Sequence, residues 1–385
     1  MFPVIRRELH RMASNRIYWA ACIVFPLFSL VFMATIFGNG QMEELPVGVV
    51  DADHSSLSRR IVRWVEATPQ LRVVRHYSNE TEARMDVLRK DIYGYLVIPS
   101  NFSSQVGNQE EVTLCYYYHN AMLSVGGELR STFEQLLKQV SLTQKVVQAV
   151  ALGEGEETAT SFFLPISDVD FPTYNPNRNY TVYLSQPFFF VFLQILLLLV
   201  TIYALGSESK YGTSEEWLRS AGGNIGLAVW GKLLPYNLIF MAMGLLANWV
   251  FFGWMRIPMS GSLWMMMGIT ILFVWATQAL ALFLYSLFPV LGLIISVVSM
   301  IGSLGATLSG VTFPVSFMYT PVYVVSYLFP VRHFMEIVQS LQYTDGTLFD
   351  YGTSILVLLL FLLLPVGLLS RLKNALTTHS YEAFQ

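Results

Sequence analysis

The one stretch of this 385-residue sequence spaced like a phosphate cradle is Gly226-Leu-Ala-Val-Trp-Gly231-Lys232-Leu233, where a lysine follows the second glycine. A phosphate-binding loop needs Ser or Thr after that lysine to hold Mg²⁺, and Leu233 cannot serve. The stretch is also apolar and opens a long hydrophobic run, so the spacing reads as coincidence. A second constellation runs from Glu208 through Lys210, Gly212, Thr213, Glu215 and Glu216 to Trp217, closed by Gly222 and Gly223. It reads as a short charged helix, or more plainly as a solvated loop whose charges fix topology. Dinucleotide binding is excluded, because Asp51-Ala52-Asp53-His54 stands where a G-x-G-x-x-G would follow the first strand. There Ser55 and Ser56 start a helix and Asp53 reads as a solvated turn residue. No Ser/His/Asp set, zinc-ligand spacing or carboxylate pair converges, so the chain is not expected to be an enzyme or to bind a metal or cofactor itself. Cys22 and Cys115 give no disulfide framework.

The elements that hold these residues follow from composition. Hydrophobic residues make up 54% of the chain and charged ones 13%, more apolar surface than a soluble core absorbs. The excess lies in long runs, six of which reach the roughly 20 residues that cross a bilayer: about 17–37, 182–205, 227–252, 262–287, 290–312 and 352–370. They lack strand alternation, so they satisfy their backbone hydrogen bonds as helices. The first exceeds a normal signal-peptide core and no small-x-small site follows it, so it is expected to be an uncleaved anchor. Arg6, Arg7, Arg11 and Arg16, then Lys210, Arg219 and Lys232, then Arg371 and Lys373 fall on one side of a six-span arrangement. By the positive-inside rule both termini are cytoplasmic and 38–178 is external. A net charge of −3 gives no sign of a nucleic-acid partner.

Residues 1–16 carry Ile5, Leu9 and Met12 at helical spacing, with Arg6, Arg7, His10 and Arg11 opposite. They read as an interfacial amphipathic helix or as a generic basic flank. Between 45 and 150, LPVGVVD, LRVVRHY, IYGYLVIP and EVTLCYYY alternate with helical windows, and a long helix follows over 126–152. That order implies an α/β domain inserted at 38–178. The fold class is therefore an α-helical polytopic membrane protein carrying an α/β insertion. Proton or ion relays need ionisable groups within spans, and only Lys232 offers one, near the cytoplasmic end where a long side chain snorkels. Gradient coupling is thus disfavoured, and any ATPase must be another subunit.

The Glu208–Leu218 segment resembles the E-x-K/R-x-x-G-T-x-E-x-L type motif of ABC-2 exporter permeases, matched at its centre by Gly212, Thr213 and Glu215. The resemblance implies that Thr213 and the following carboxylates start a helix docking on an ATPase partner, the acidic residues suiting its positive end. Ser309-Gly310-Val-Thr-Phe313-Pro314, then Pro321 and Pro330, resembles the same family's S/T-G-x-x-F-P signature. Prolines at those positions cannot continue one spanning helix, so 313–350 reads as a broken pair of half-helices entering from the outer face, or as an ordinary outer loop. The resemblance covers almost the whole chain. It implies a dimer, homomeric or with a sibling permease, in a bacterial inner membrane. It further implies ATPase subunits carrying ATP and Mg, and, for the subgroup with a large external domain, a periplasmic adaptor and drug-like or lipid-like export. Charge-free aromatic spans suit a hydrophobic or amphiphilic cargo. Glu208, Lys210, Gly212, Thr213, Glu215, Glu216 and Trp217 are the expected coupling residues, aided by the Ile5–Arg11 helix; Gly310, Phe313, Pro314, Pro321 and Pro330 are expected to shape an outer gate. The competing class is a membrane scaffold or receptor displaying the external domain, for which one span would suffice.

Overall fold

The computed structural model describes residues 1–38, 40, 42–108, 110, 112–151, 175, 179–343 and 351–378. They form two compact units, Met1–Gly40 with Pro172–Gln385, and Gln41–Phe171. The polar run at 153–158 and the 344–350 end of the outer segment lie outside the described residues.

In the second unit the β-branched runs are the strands β1 (Leu45–Asp51), β2 (Leu71–Tyr77), β3 (Gly94–Ile98) and β4 (Cys115–Tyr118), in the order β2-β1-β3-β4. β1 is parallel to β2 and β3, and β4 is antiparallel to β3. Parallel neighbours need crossovers, supplied by α2 (Ser56–Glu66) and α3 (Glu80–Arg89). A short α4 (Phe102–Gly107) and a long α5 (Leu123–Ala151) follow. Both faces of β1 are covered, Val47 and Val49 on one side and Val50 on the other, hence its near-continuous apolar run. Helix starts are capped by side chains: Ser55 accepts from the Ser58 amide at 3.0 Å and Asn79 from the Glu82 amide at 3.0 Å. Asp53 is not merely solvated. It accepts hydrogen bonds from the amide and hydroxyl of Ser103, fastening the β1 turn to α4.

The first unit begins with α1 (Phe2–Ser14), and its described residues hold six helices long and apolar enough to cross a membrane: Arg16–Ile36, Thr181–Lys210, Ile225–Trp254, Leu263–Leu287, Leu291–Leu308 and Gly352–Thr378. The second span is the hub, packing on the first, third, fourth and fifth. Close approach comes from small residues, since a Cβ at Gly302 would sit 2.8 Å from Ile195 Cγ1, and one at Gly206 would sit 2.5 Å from Leu291 Cδ1. The first and second spans each carry a π turn, Ala20–Val24 and Thr181–Ser185, immediately before Pro26 and Pro187. A proline has no N–H to donate to the preceding turn, and the wider π turn absorbs that loss. The fifth span stops at Leu308, short of the expected 312, because Gly310 takes a left-handed φ of 85°. The sixth breaks after Leu363 around Pro365 before resuming at Leu369.

After the second span a short α6 (Ser214–Ser220) turns the chain towards the third. Beyond the fifth span come α7 (Thr320–Ser326) and α8 (Pro330–Tyr343). α8 is largely buried, and its Phe334 packs between the second and fourth spans, with ring centroids 4.7 Å from Phe190 and 4.3 Å from Phe273.

Candidate functional site

The strongest concentration of buried charge lies where α1, the end of the second span and the start of the third meet. Val4, Glu8 and Met12 follow one another at the four-residue spacing of a single helical face, and all three are buried against the bundle. That face can close on the third span because position 231 is glycine: a Cβ there would sit 2.9 Å from Val4 Cβ. The second glycine of the phosphate-loop-like string is thus a packing glycine. Its neighbour Lys232, fully buried, donates to Glu8 Oε2 at 2.6 Å and to Glu208 Oε1 at 2.7 Å. Glu8 Oε1 accepts from the Tyr236 hydroxyl at 2.6 Å. Glu208 further accepts from Arg7 at 2.9 and 3.0 Å, from Arg11 at 2.6 Å and from the Thr213 hydroxyl. Arg7 lies 3.7 Å from Glu216 on α6.

Three cations, Arg7, Arg11 and Lys232, therefore face three carboxylates, Glu8, Glu208 and Glu216, and the cluster is neutral as a whole. Neutrality and complete hydrogen bonding make such burial tolerable, and removing one partner of a pair strands the other in a dry site. Burial alone would lower the Arg7 guanidinium, but Glu208 and Glu216 outweigh it and hold Arg7 above the ordinary arginine value. Trp217 completes the joint: fully buried, it donates to the Ala228 carbonyl at 3.2 Å, and the Lys232 ammonium stands 5.4 Å from its ring centroid. The carboxylates Glu8 and Glu208 and the Lys232 ammonium are all engaged with one another or with neighbouring donors. Among the described residues no three His, Cys, Asp or Glu side chains are grouped to hold a metal ion. The cluster is a rigid ionic joint between α1, α6 and two spans.

Several sequence expectations change here. Lys232 does not snorkel; it is the centre of the joint. Glu208 belongs to the last turn of the second span rather than to a loop, so that span is not free of charge. Met12 is buried, Ile5 half-buried, and Arg6 and His10 exposed, but Leu9 is 51% exposed while Arg7 and Arg11 turn partly inward, so the buried face of α1 is rotated relative to the expected one. Lys210 is exposed and its ammonium lies 5.8 Å from the Tyr211 ring centroid. Gly212 takes a left-handed φ of 66° in open space, the turn that redirects the chain into α6. Glu215 is exposed and pairs with Arg219 at 2.7 Å. The structure thus gathers Arg7, Arg11, Glu208, Thr213, Glu216 and Trp217, and leaves Arg6, Leu9, Lys210 and Glu215 outside. It adds Glu8, Tyr236 and Tyr18, the last 3.5 Å from Ser207. Glu8 was detectable as the one carboxylate in a basic helix, and Lys232 as the one charge in its span.

The proline-rich residues gather elsewhere. Spans alternate in direction, so the segment between the fifth and sixth lies at the bundle end opposite the joint, beside the start of the second span, where Tyr183 donates to the Val311 carbonyl. Phe313 and Pro314 are exposed, Pro321 sits in the first turn of α7, and buried Pro330 starts α8. Gln194, from the second span, accepts the Val331 amide at 2.9 Å and so satisfies one orphan donor of α8. Arg332 is buried with its guanidinium 4.1 Å from the Tyr327 ring centroid, and it donates to His333 Nδ1 at 3.1 Å.

A family profile described as "ABC-2 family transporter protein" matches residues 16–371. No curated protein matches the chain.

Proposed function

The chain belongs to the ABC-2 family of transporter proteins, and we propose on that premise that it is the permease subunit of an exporter driven by separate ATPase subunits carrying ATP and Mg. The observation that carries the reading is the buried joint, which ties α6, with its exposed Glu215 and Glu216, to two spans and to α1. Motion delivered to α6 through Glu215 and Glu216 cannot be absorbed locally. Thr213 and Glu216 pass it to Glu208 and Arg7, and Lys232 passes it to the third span. Closure of two ATPase subunits would move both spans together.

Two copies, or one copy and a sibling permease, would enclose the route. Gly310, Phe313, Pro314, Pro321 and Pro330 would shape its outer end, and Gln41–Phe171 would stand outside the bacterial inner membrane, with both termini inside and a periplasmic adaptor as a further partner. A hydrophobic or amphiphilic cargo suits spans whose ionisable residues are locked in pairs. The test is co-purification in mild detergent with a Glu215→Arg/Glu216→Arg variant alongside, scoring associated ATPase. Association lost in the variant at unchanged thermal stability locates the docking surface. Wild-type protein that captures no ATPase under any condition refutes the reading.

A further inference from the structure

The sixth span packs along the fourth, but where it turns through a 3₁₀ segment after Pro365 it leaves a gap against the third. The gap is a cavity of about 350 Å³, within the range of small-molecule sites. Its walls are apolar, including Leu233, Leu282, Leu362 and Val366, and at its edge the rings of Trp230 and Trp275 lie 5.0 Å apart at 51°. Trp230 is 50% exposed, so the cavity opens on an exposed flank of the bundle rather than into the ionic joint.

One polar feature is out of place in such walls. Asn237, 1% exposed, lines the cavity and its Oδ1 has no hydrogen-bond partner among the described residues. Its orientation is dictated by a short chain of bonds. The Leu233 carbonyl can only accept, so Gln278 presents Nε2 to it at 3.1 Å; Gln278 Oε1 then faces Asn237, which must present Nδ2, at 2.9 Å. Oδ1 is what remains, an acceptor in apolar surroundings. Unmet burial of an amide oxygen is unfavourable, and a ligand that brings an N–H or O–H removes the penalty. Asn237 lies five residues beyond Lys232, roughly 7.5 Å deeper along the helix axis. That depth suits a polar group attached to a chain that continues into the hydrocarbon.

We propose that this cavity is a binding site for an amphiphile, with its apolar chain between the third, fourth and sixth spans and a hydroxyl or amide N–H donated to Asn237 Oδ1. This inference does not depend on how the permease is driven. The ligand is either a bilayer lipid or a single-chain amphiphile that partitions into the membrane.

The full-length protein in phosphatidylcholine vesicles is photolabelled with hexadecanol carrying a mid-chain diazirine, with hexadecane carrying the same group, and with a diazirine-bearing phosphatidylethanolamine. Labelling is mapped to the peptides covering 226–237 and 362–369. The alcohol is expected to label them roughly fivefold more than the alkane, the factor one neutral hydrogen bond contributes. Asn237→Leu should equalise the two, and Ala279→Phe or Leu362→Trp, which fill the space from different walls, should suppress both. Labelling by the phosphatidylethanolamine identifies a bilayer lipid as the source, and labelling by the alcohol alone identifies a free amphiphile. Equal labelling by alcohol and alkane in the wild type, or full labelling in both filled variants, overturns the proposal.

Discussion

Replacing Lys232 with methionine keeps the length of the side chain and removes the charge that two carboxylates share. Glu208 retains Arg7, Arg11 and Thr213 as donors. Among the described residues Glu8 retains the Tyr236 hydroxyl as a direct donor but loses the cation that touches it, Arg7 and Arg11 acting on it without contact. Breaking a buried pair in this way costs about 3–5 kcal/mol. At roughly 2–4 °C of Tm per kcal/mol, the unfolding midpoint of the detergent-solubilised protein should fall by roughly 6–20 °C. Glu8→Gln in the same chain removes the stranded charge and should recover most of the loss, because contacting residues in one network are coupled. Glu8→Gln alone leaves Lys232 paired with Glu208 and should be milder. The assay is a thermal denaturation series over the four proteins of the cycle. A Lys232→Met protein that melts with the wild type, or a double variant no more stable than Lys232→Met, would refute the account of Lys232 as the shared counter-charge.

Other outcomes follow from single contacts. Gln194→Leu leaves the Val331 amide without an acceptor at the buried start of α8, and the same assay should show a loss of about 1–3 kcal/mol. Gly310→Ala must adopt the left-handed φ and would bring its Cβ to 2.6 Å from Val315 Cγ2. It should lose at least the roughly 1–2 kcal/mol of backbone strain, and Val315→Ala should relieve the steric remainder. In the second unit the Tyr77 hydroxyl, donating at 2.7 Å, and then Arg75 hold the Asp86 carboxyl below its usual 3.8. A lowered folded value means stabilisation that is complete above the unfolded value and lost as pH falls through the folded one. Tyr77→Phe should therefore raise the Asp86 titration midpoint, followed by carboxyl NMR shifts, and flatten the acid loss of stability below about pH 4. An unmoved midpoint would show that the hydroxyl does not set it.

Features written locally in the sequence were legible. The long apolar runs are six candidate spans, and the β-branched runs are the strands of a small mixed sheet. Features that depend on distant partners were not. Glu8 and Lys232 stand 224 residues apart and Arg7 and Glu208 stand 201 apart, so no window contains both members of a pair. Hydropathy placed Glu208 outside its span because a charge ends an apolar window, although the helix continues and the charge is neutralised by α1. The face of α1 was only partly legible for the same reason: spacing assigns the inward side to Ile5, Leu9 and Met12, of which Leu9 turns outward, because the bundle presents Lys232 and Glu208, which draw Glu8, Arg7 and Arg11 inward. The cavity at Pro365 was not legible, since a helix break leaves a void only when its neighbours fail to fill it.

The separation of Glu8 and Lys232 also has a consequence for how the chain is made. At roughly 5–20 residues per second, Glu8 is synthesised about 11–45 s before Lys232. Glu8 is therefore made before two spans and the whole second unit are completed. When the third span arrives it carries one lysine, near its first end, where the cost is below the roughly 2.5–3.5 kcal/mol of a mid-helix charge. The carboxylates already present, first Glu8 and then Glu208, offset that penalty as the helix enters. A chain whose amino-terminal helix is displaced therefore brings its third span to the bundle with Lys232 facing one carboxylate, Glu208, instead of two.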